Sequence, residues 1–257
     1  MTAPISTSTL AEAPELTDAS QRVIADGWPA FVLATPVAAA LWPRVLTEFA
    51  DYQVVLVDQG SGSVVGTGHS LPLAWDGTVE GLPAGWDAAV ERAIEDHDQG
   101  RAATAAVGLS ATIARGHRGR HLSRRLIQAL RAVAADHGHT ALVLPVRPNL
   151  KSAYPLIPIE RYVTWTAADG APFDPWLRVH WRLGGRIVGL CPESMRISAS
   201  VADWEGWTGM RLPDSGRYVV PDALVPIEID RERDQGLYLE PNVWVHHDLR
   251  PASGAVG

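Results

Sequence analysis

One stretch, residues 103–146, narrows the choice of fold more than any other. It opens with "ATAAVGLSATIA" (103–114), a small-residue apolar run that reads as a buried central strand, although periodicity alone does not exclude a helix. Eleven positions follow, 115–125, that hold five arginines and two histidines. Leu122, Leu126, Ala129, Leu130 and Val133 then recur at three- and four-residue spacing and paint one apolar face on a helix of about four turns. Gly138 stops that helix, and "TALVLPV" (140–146) reads as a strand. The unit is strand, glycine-containing basic turn, helix, strand, with the positive loop at the helix start. Free backbone N–H groups and the helix dipole make such a start an anion site, and flanking arginines deepen it. A phosphorylated ligand fits that loop best.

The remaining composition argues against a nucleic-acid partner. The chain has 257 residues with 22 basic against 29 acidic side chains, a net charge of −7, so the arginine cluster is a local exception on an acidic molecule. At 46% hydrophobic and 20% charged it has the material for a large core. The single cysteine, Cys191, excludes an internal disulfide and fits a reducing compartment. The first twenty residues carry no basic and apolar leader pattern, and no apolar run of about 18 residues follows. A cytoplasmic protein without membrane contact is expected.

Residues 1–18, small and polar, read as a flexible arm. "YQVVLVD" (52–58) and "SVVGTGHSLPLAW" (63–75), separated by "QGSG", read as an antiparallel hairpin, and "GWDAAVERAIEDH" (85–97) as a short surface helix. "DPWLRVHWRLGGRIVG" (174–189) admits a strand, because Leu177, Val179, Trp181 and Leu183 alternate with polar residues. Asp174 as a cap, Pro175 at the first turn and Gly184–Gly185 as a stop favour a helix. "SVADWEGWTGM" (200–210) offers a capping box between Ser200 and Asp203, and strands are expected near "GRYVV", "LVPIEID" and "GLYLEPNVWVHH".

The loop Arg118-Gly119-Arg120-His121-Leu122-Ser123 resembles the Arg/Gln-x-x-Gly-x-Gly/Ala loop of the GNAT superfamily of acyl-CoA-dependent N-acyltransferases, with His121 and Ser123 standing where the family carries small residues. The order of elements over about residues 50–190 is similar to the GNAT core, and "HWRLGG" resembles the "LY-x-x-x-GF" end of that family's fourth helix. The resemblance implies an α/β (α+β) fold, a mixed and mostly antiparallel sheet flanked by helices, in a larger subgroup with a β-rich C-terminal extension. It implies a core over 19–190 with an inserted segment at 147–173, and residues 191–257 packed on that core. It also implies acetyl-CoA or another acyl-CoA as donor, bound through Ala111, Ile113, Arg118, Gly119, Arg120, His121, Leu122, Ser123 and Asn149.

Acyl transfer needs a held thioester and a proton for the departing thiolate. The family's tyrosine acid, four residues before the glycine, corresponds to His180, which as an imidazolium donates near neutral pH. A surface histidine on a short helix is the plainer reading. Tyr154 and Tyr162 on the inserted segment are the rival acids, or else packing aromatics with bonded hydroxyls. Glu160, Asp203, Glu205 and Glu240 are unranked as base or amine ligand. Cys191 reads as a buried inert thiol, and His246 and His247, adjacent in a strand, point to opposite faces and make a poor metal pair, so no metal is expected. The expected function is transfer of an acetyl or other acyl group from CoA to a small-molecule amine. Two alternatives stay open: a transferase using a longer or carrier-protein-bound acyl group, and a non-catalytic acyl-CoA-binding protein. The inserted and C-terminal stretches, rich in aromatics and prolines, would wall the acceptor pocket or make a homodimer contact.

Overall fold

Strand β1 (Ile5–Thr9) begins the fold in a computed structural model that describes residues 4–250. Ile5, Thr7 and Thr9 alternate with serines, a β-branched pattern, and the strand pairs antiparallel with β2, Ile5 opposite Asp58 and Thr9 opposite Val54. The expected flexible arm is therefore corrected over residues 5–18: Leu10 is buried against Val55, Val57 and Val64, and a helix already begins at Thr17. Small polar composition hid a strand whose partner lies about fifty residues away. Helices α1 (Thr17–Gly27), α2 (Ala30–Leu33) and α3 (Pro36–Glu48) follow. Then come β2 (Val54–Asp58) and β3 (Ser63–Leu73), the expected antiparallel hairpin. Helix α4 (Trp86–Asp98) is less of a surface helix than its acidic residues suggest, since Trp86, Ala89, Val90, Ala93 and Ile94 are all buried.

The central unit is as read. β4 (Ala105–Ile113) leads through a short 3-10 turn at Arg115–His117 into α5 (Leu122–Asp136) and on to β5 (Ala141–Val146). Leu122, Leu126, Ile127, Leu130 and Ala134 form the buried face of α5. Each large side chain there contributes about 1.5–3 kcal/mol by leaving water. β4 and β5 run parallel, but their pairing lasts only from Ala105↔Ala141 to Val107↔Val143. Beyond that the strands part. Gly108 sits at the fork, where a Cβ would lie 2.5 Å from Leu144 Cδ2, so only glycine fits beside that leucine without displacing it. Across β3 the register shifts between His69 and Ser70, which leaves Leu109 as an extra residue in β4 next to the fork.

The rest of the chain is α6 (Ile159–Tyr162), α7 (Pro175–Arg182), β6 (Arg186–Ala199), α8 (Val201–Thr208), β7 (Gly216–Tyr218), β8 (Ile227–Asp230) and β9 (Gln235–Asp248). The sheet order is β1-β2-β3-β4-β5-β9-β8-β7, with β6 on β9, and every pairing except β4–β5 is antiparallel. The stretch expected to pack on the core thus enters the sheet itself: β9 is the second neighbour of β5, from Ala141↔Asp248 to Val146↔Val243.

The helical reading of 174–182 holds. Asp174 Oδ1 accepts from the N–H groups of Trp176 (2.9 Å) and Leu177 (3.1 Å). Ser200 and Asp203 form the capping box of α8. The inserted segment folds around an aromatic cluster of Tyr154, Tyr162, Trp165 and Phe173. Beneath it the fully buried Lys151 Nζ donates to the carbonyls of Tyr154 (2.9 Å) and Leu224 (2.6 Å), tying the insertion to the C-terminal part.

Candidate active site

The parting of β4 and β5 opens a cleft of about 860 Å³. Gly108–Ile113 of β4 form one wall and Leu144–Arg147 the other; the basic loop and the start of α5 stand at its mouth. Helix α7 contributes Pro175, Trp176, Val179 and His180, the α1–α2 junction contributes Gly27–Phe31, and Trp207, Pro221 and Asp222 come from the C-terminal part.

Most of the sequence-derived donor residues meet here. Ala111, Ile113, Arg118, Gly119, His121, Leu122, Ser123 and Asn149 all border the cleft. The loop turns through two left-handed residues, Gly119 (φ 77°) and His121 (φ 59°, ψ 15°), and α5 starts at Leu122 with no side chain capping it. Its first-turn N–H groups have no acceptor within the helix and stand ready for an anion. Arg115 Nε donates to the Asp26 carbonyl (2.7 Å), which holds the loop against the end of α1. Arg120 departs from the expectation. It is exposed and does not border the cleft itself, and its Nη1 donates to Nδ1 of His117 (2.9 Å), which does.

The catalytic candidates separate. His180 is buried at the cleft wall, its Nδ1 2.9 Å from His247 Nε2, while its Nε2 has no partner among the described residues. Burial, with His247 beside it, pushes its pKa down to about 3. The ring is therefore neutral, not the imidazolium that the sequence suggested. His247 is likewise lowered, to about 4, chiefly by burial, and Gly185 makes room for it, since a Cβ there would lie 2.7 Å from His247 Cε1. Tyr154 and Tyr162 belong to the aromatic cluster instead. The Tyr162 hydroxyl donates to Asp174 Oδ2 (2.8 Å), bracing the cap of α7, and burial with Asp174 beside it raises its pKa. His246 faces the opposite side of β9, against Trp75. Cys191 is buried with its thiol pushed up to about 12, so it stays protonated.

The four unranked carboxylates also sort themselves. Asp203 caps α8, Glu205 accepts from the N–H of Leu212 (2.9 Å), and Glu160 is exposed on α6. Glu240 is buried, its Oε2 accepting from Arg147 Nε (2.9 Å) and the Tyr238 hydroxyl (3.1 Å). Burial opposes the charge on Arg147, but Glu240 more than offsets it and the guanidinium stays charged. Arg147, Trp28, Phe31 and Asp222 were missed as cleft residues. Only the position of Arg147, just past a strand end, hinted at its place. Outside the cleft, Glu48, His97 and Asp98 lie close enough to share a cation, but Arg44 already bridges Glu48 and Asp98 at the surface. Among the described residues no helix is long and apolar enough to cross a membrane.

No protein-family profile matches the chain. It is, however, 34% identical over a 256-residue alignment to an arginine N-acetyltransferase of Aspergillus versicolor, covering 86% of this chain and 85% of the relative. Two solved structures share the fold: the loading GNATL domain of CurA from Lyngbya majuscula, with a TM-score of 0.58 at 14% identity over 96% of this chain and 97% of that one, and the GphF GNAT-like decarboxylase in complex with isobutyryl-CoA, with a TM-score of 0.56 at 20% identity over 96% and 100%. The chain belongs to the GNAT superfamily of acyl-CoA-dependent N-acyltransferases. It is an enzyme that moves an acyl group from CoA to an amine.

Proposed function

We propose that the protein acetylates a small basic amino compound of the arginine type, with acetyl-CoA as donor. The observation that carries the reading is the cleft, which joins an uncapped helix start beside Arg118 to a chamber walled by α7, the insertion and the C-terminal part. The relative that acts on arginine supports the acceptor class.

The residues suit the donor. The 118–123 turn and Arg118 hold the pyrophosphate, and the fork after Val107 and Val143 leaves strand-edge groups of β4 free to receive the pantetheine arm. Acetyl-CoA, when bound, supplies an activated thioester. His180 lies on the wall of the same cleft. In the tautomer where His247 Nε2–H donates to His180 Nδ1, His180 keeps an N–H on its enclosed and unpartnered Nε2, a neutral donor that would serve the departing thiolate once the bound donor reaches it. The amine loses one proton and the thiol gains one, so the overall reaction needs no outside acid. A reducing cytoplasm suits a chain with one buried thiol.

The test is calorimetric titration with acetyl-CoA, followed by a thiol-release assay over arginine, lysine, ornithine, agmatine, aromatic amines and aminoglycosides. Binding of acetyl-CoA with turnover of basic amino compounds is expected. Turnover confined to the aromatic amines or aminoglycosides refutes the acceptor class.

A further inference from the structure

The charges around the cleft are unevenly placed. Three cations border it, Arg115, Arg118 and Arg147, and one acidic side chain, Asp222. Arg115 and Arg118 belong to the donor loop, and Arg147 is neutralised by its pair with Glu240. Asp222 is exposed, and its carboxylate has no hydrogen-bond or ion-pair partner among the described residues. Its charge favours the nearby Arg147 only through space, while Glu240 holds that guanidinium directly, so the Asp222 carboxylate oxygens stay free for another cation.

The turn that carries it is pinned with unusual thoroughness for a surface turn. Arg147 Nη2 donates to the Asp222 carbonyl, the Leu224 N–H donates to the Tyr238 hydroxyl (2.9 Å), and Lys151 Nζ donates to the Leu224 carbonyl (2.6 Å). Ala223 and Leu224 are buried just behind. Asp222 itself is left-handed, φ 64°, a conformation that costs a non-glycine residue energy and persists where the surroundings enforce it. The half-buried Arg147 thus holds the backbone of this left-handed residue, and the buried Lys151 and Tyr238 hold Leu224 two positions on, which keeps the Asp222 carboxylate at the cleft. Trp207 borders the same cleft and offers an aromatic face. A carboxylate and an aromatic face on the lining of one cleft suit a guanidinium, which forks onto oxygen and stacks on a ring.

We propose that Asp222 recognises a second cationic group of the acceptor, a guanidinium in the best case, and so sets the enzyme's preference for dibasic over neutral amines. Arg147 is the positioning residue: Glu240 fixes its Nε, and its other arm fixes the Asp222 backbone. This rests on the acceptor class proposed above.

The test compares kcat/KM for arginine and for citrulline, its neutral isostere, in the wild type, Asp222→Asn and Asp222→Glu. Asparagine tolerates a left-handed backbone, so the turn keeps its shape while the charge goes. A titration with acetyl-CoA reports folding. Loss of one charge-assisted contact is expected to cut the arginine-over-citrulline preference about ten- to a hundredfold in Asp222→Asn, mainly through KM, and Asp222→Glu should recover part of it. A wild type that prefers arginine with Asp222→Asn unchanged in that ratio overturns this inference alone. A wild type that turns over no dibasic amine overturns the acceptor class, and the inference with it.

Discussion

Replacing His121 by glycine tests the donor loop directly, because the expected sign depends on one backbone angle. At φ 59° and ψ 15° the residue is left-handed at the start of α5. A side chain in that region costs about 1–2 kcal/mol against glycine, which enters freely. Glycine also gains about 0.5–1 kcal/mol of freedom in the unfolded chain. The balance is a stabilisation of about 0.5–1 kcal/mol, or roughly 1–4 °C in melting temperature for a protein of this size. Urea melts of the wild type, His121→Gly and His121→Ala measure it. Alanine keeps the left-handed penalty, so glycine should exceed alanine by about 1 kcal/mol; at a right-handed helical residue the order reverses. Calorimetry with CoA should show His121→Gly binding as tightly as the wild type or tighter, since the loop then approaches a phosphate without a side chain between them. A glycine variant less stable than the alanine variant refutes the loop geometry. Weaker CoA binding in a more stable glycine variant would mean that the imidazole itself contacts the donor.

Arg118→Ala should weaken CoA binding about ten- to a hundredfold, the worth of one charge-assisted contact, and unchanged affinity by calorimetry would remove Arg118 from the cradle. His180→Ala should lower kcat about a hundredfold with little change in CoA affinity, and the wild-type kcat should show no inflection near pH 6.5 from this residue, because it titrates near 3. Acid should destabilise the fold through His69, His180 and His247, whose pKa values burial lowers to about 3, 3 and 4. Below pH 6.5 the unfolded chain binds protons that the native state refuses, so stability falls by about 1.4 kcal/mol per pH unit for each histidine until the native values are reached. Urea melts at pH 7, 6 and 5 would show this as a falling midpoint, and a pH-independent midpoint would contradict the buried neutral rings.

The parts of the molecule governed by local chemistry could be read from the sequence. Asp174, Pro175 and Gly184 bounded α7 despite the alternation of Leu177, Val179, Trp181 and Leu183, because a cap and a stop are made within a few residues. The glycine-containing turn into α5 was legible for the same reason, as was the box of Ser200 and Asp203. What failed depends on residues far apart in the chain. The charge state of His180 is set by burial among distant elements with His247 beside it, and Arg147 is defined by Glu240 across the β5–β9 junction. The strand at Ile5–Thr9 exists because the edge of β2 is there to receive it. Tyr154 and Tyr162 stood open between acid and packing aromatic, because the aromatic cluster they join with Trp165 and Phe173 is a matter of how the insertion folds on itself. Arg120 misled because composition counts charges and does not say which of them border the cleft.

The position of β9 has a consequence for the protein's birth on the ribosome. Its C-terminal half closes the free edge of β5, and its N-terminal half carries β8, while β6 lies along it from Arg186↔His246 to Ala199↔Gly236. Until residue 248 has been made, the nascent chain holds a β5 edge of Ala141–Val146 with every side chain apolar and nothing beside it. Such an edge invites pairing with other chains. Synthesis of this enzyme therefore has a vulnerable interval that ends only with its last strand, and crowded or overloaded translation should cost it soluble yield before it costs the finished enzyme any activity.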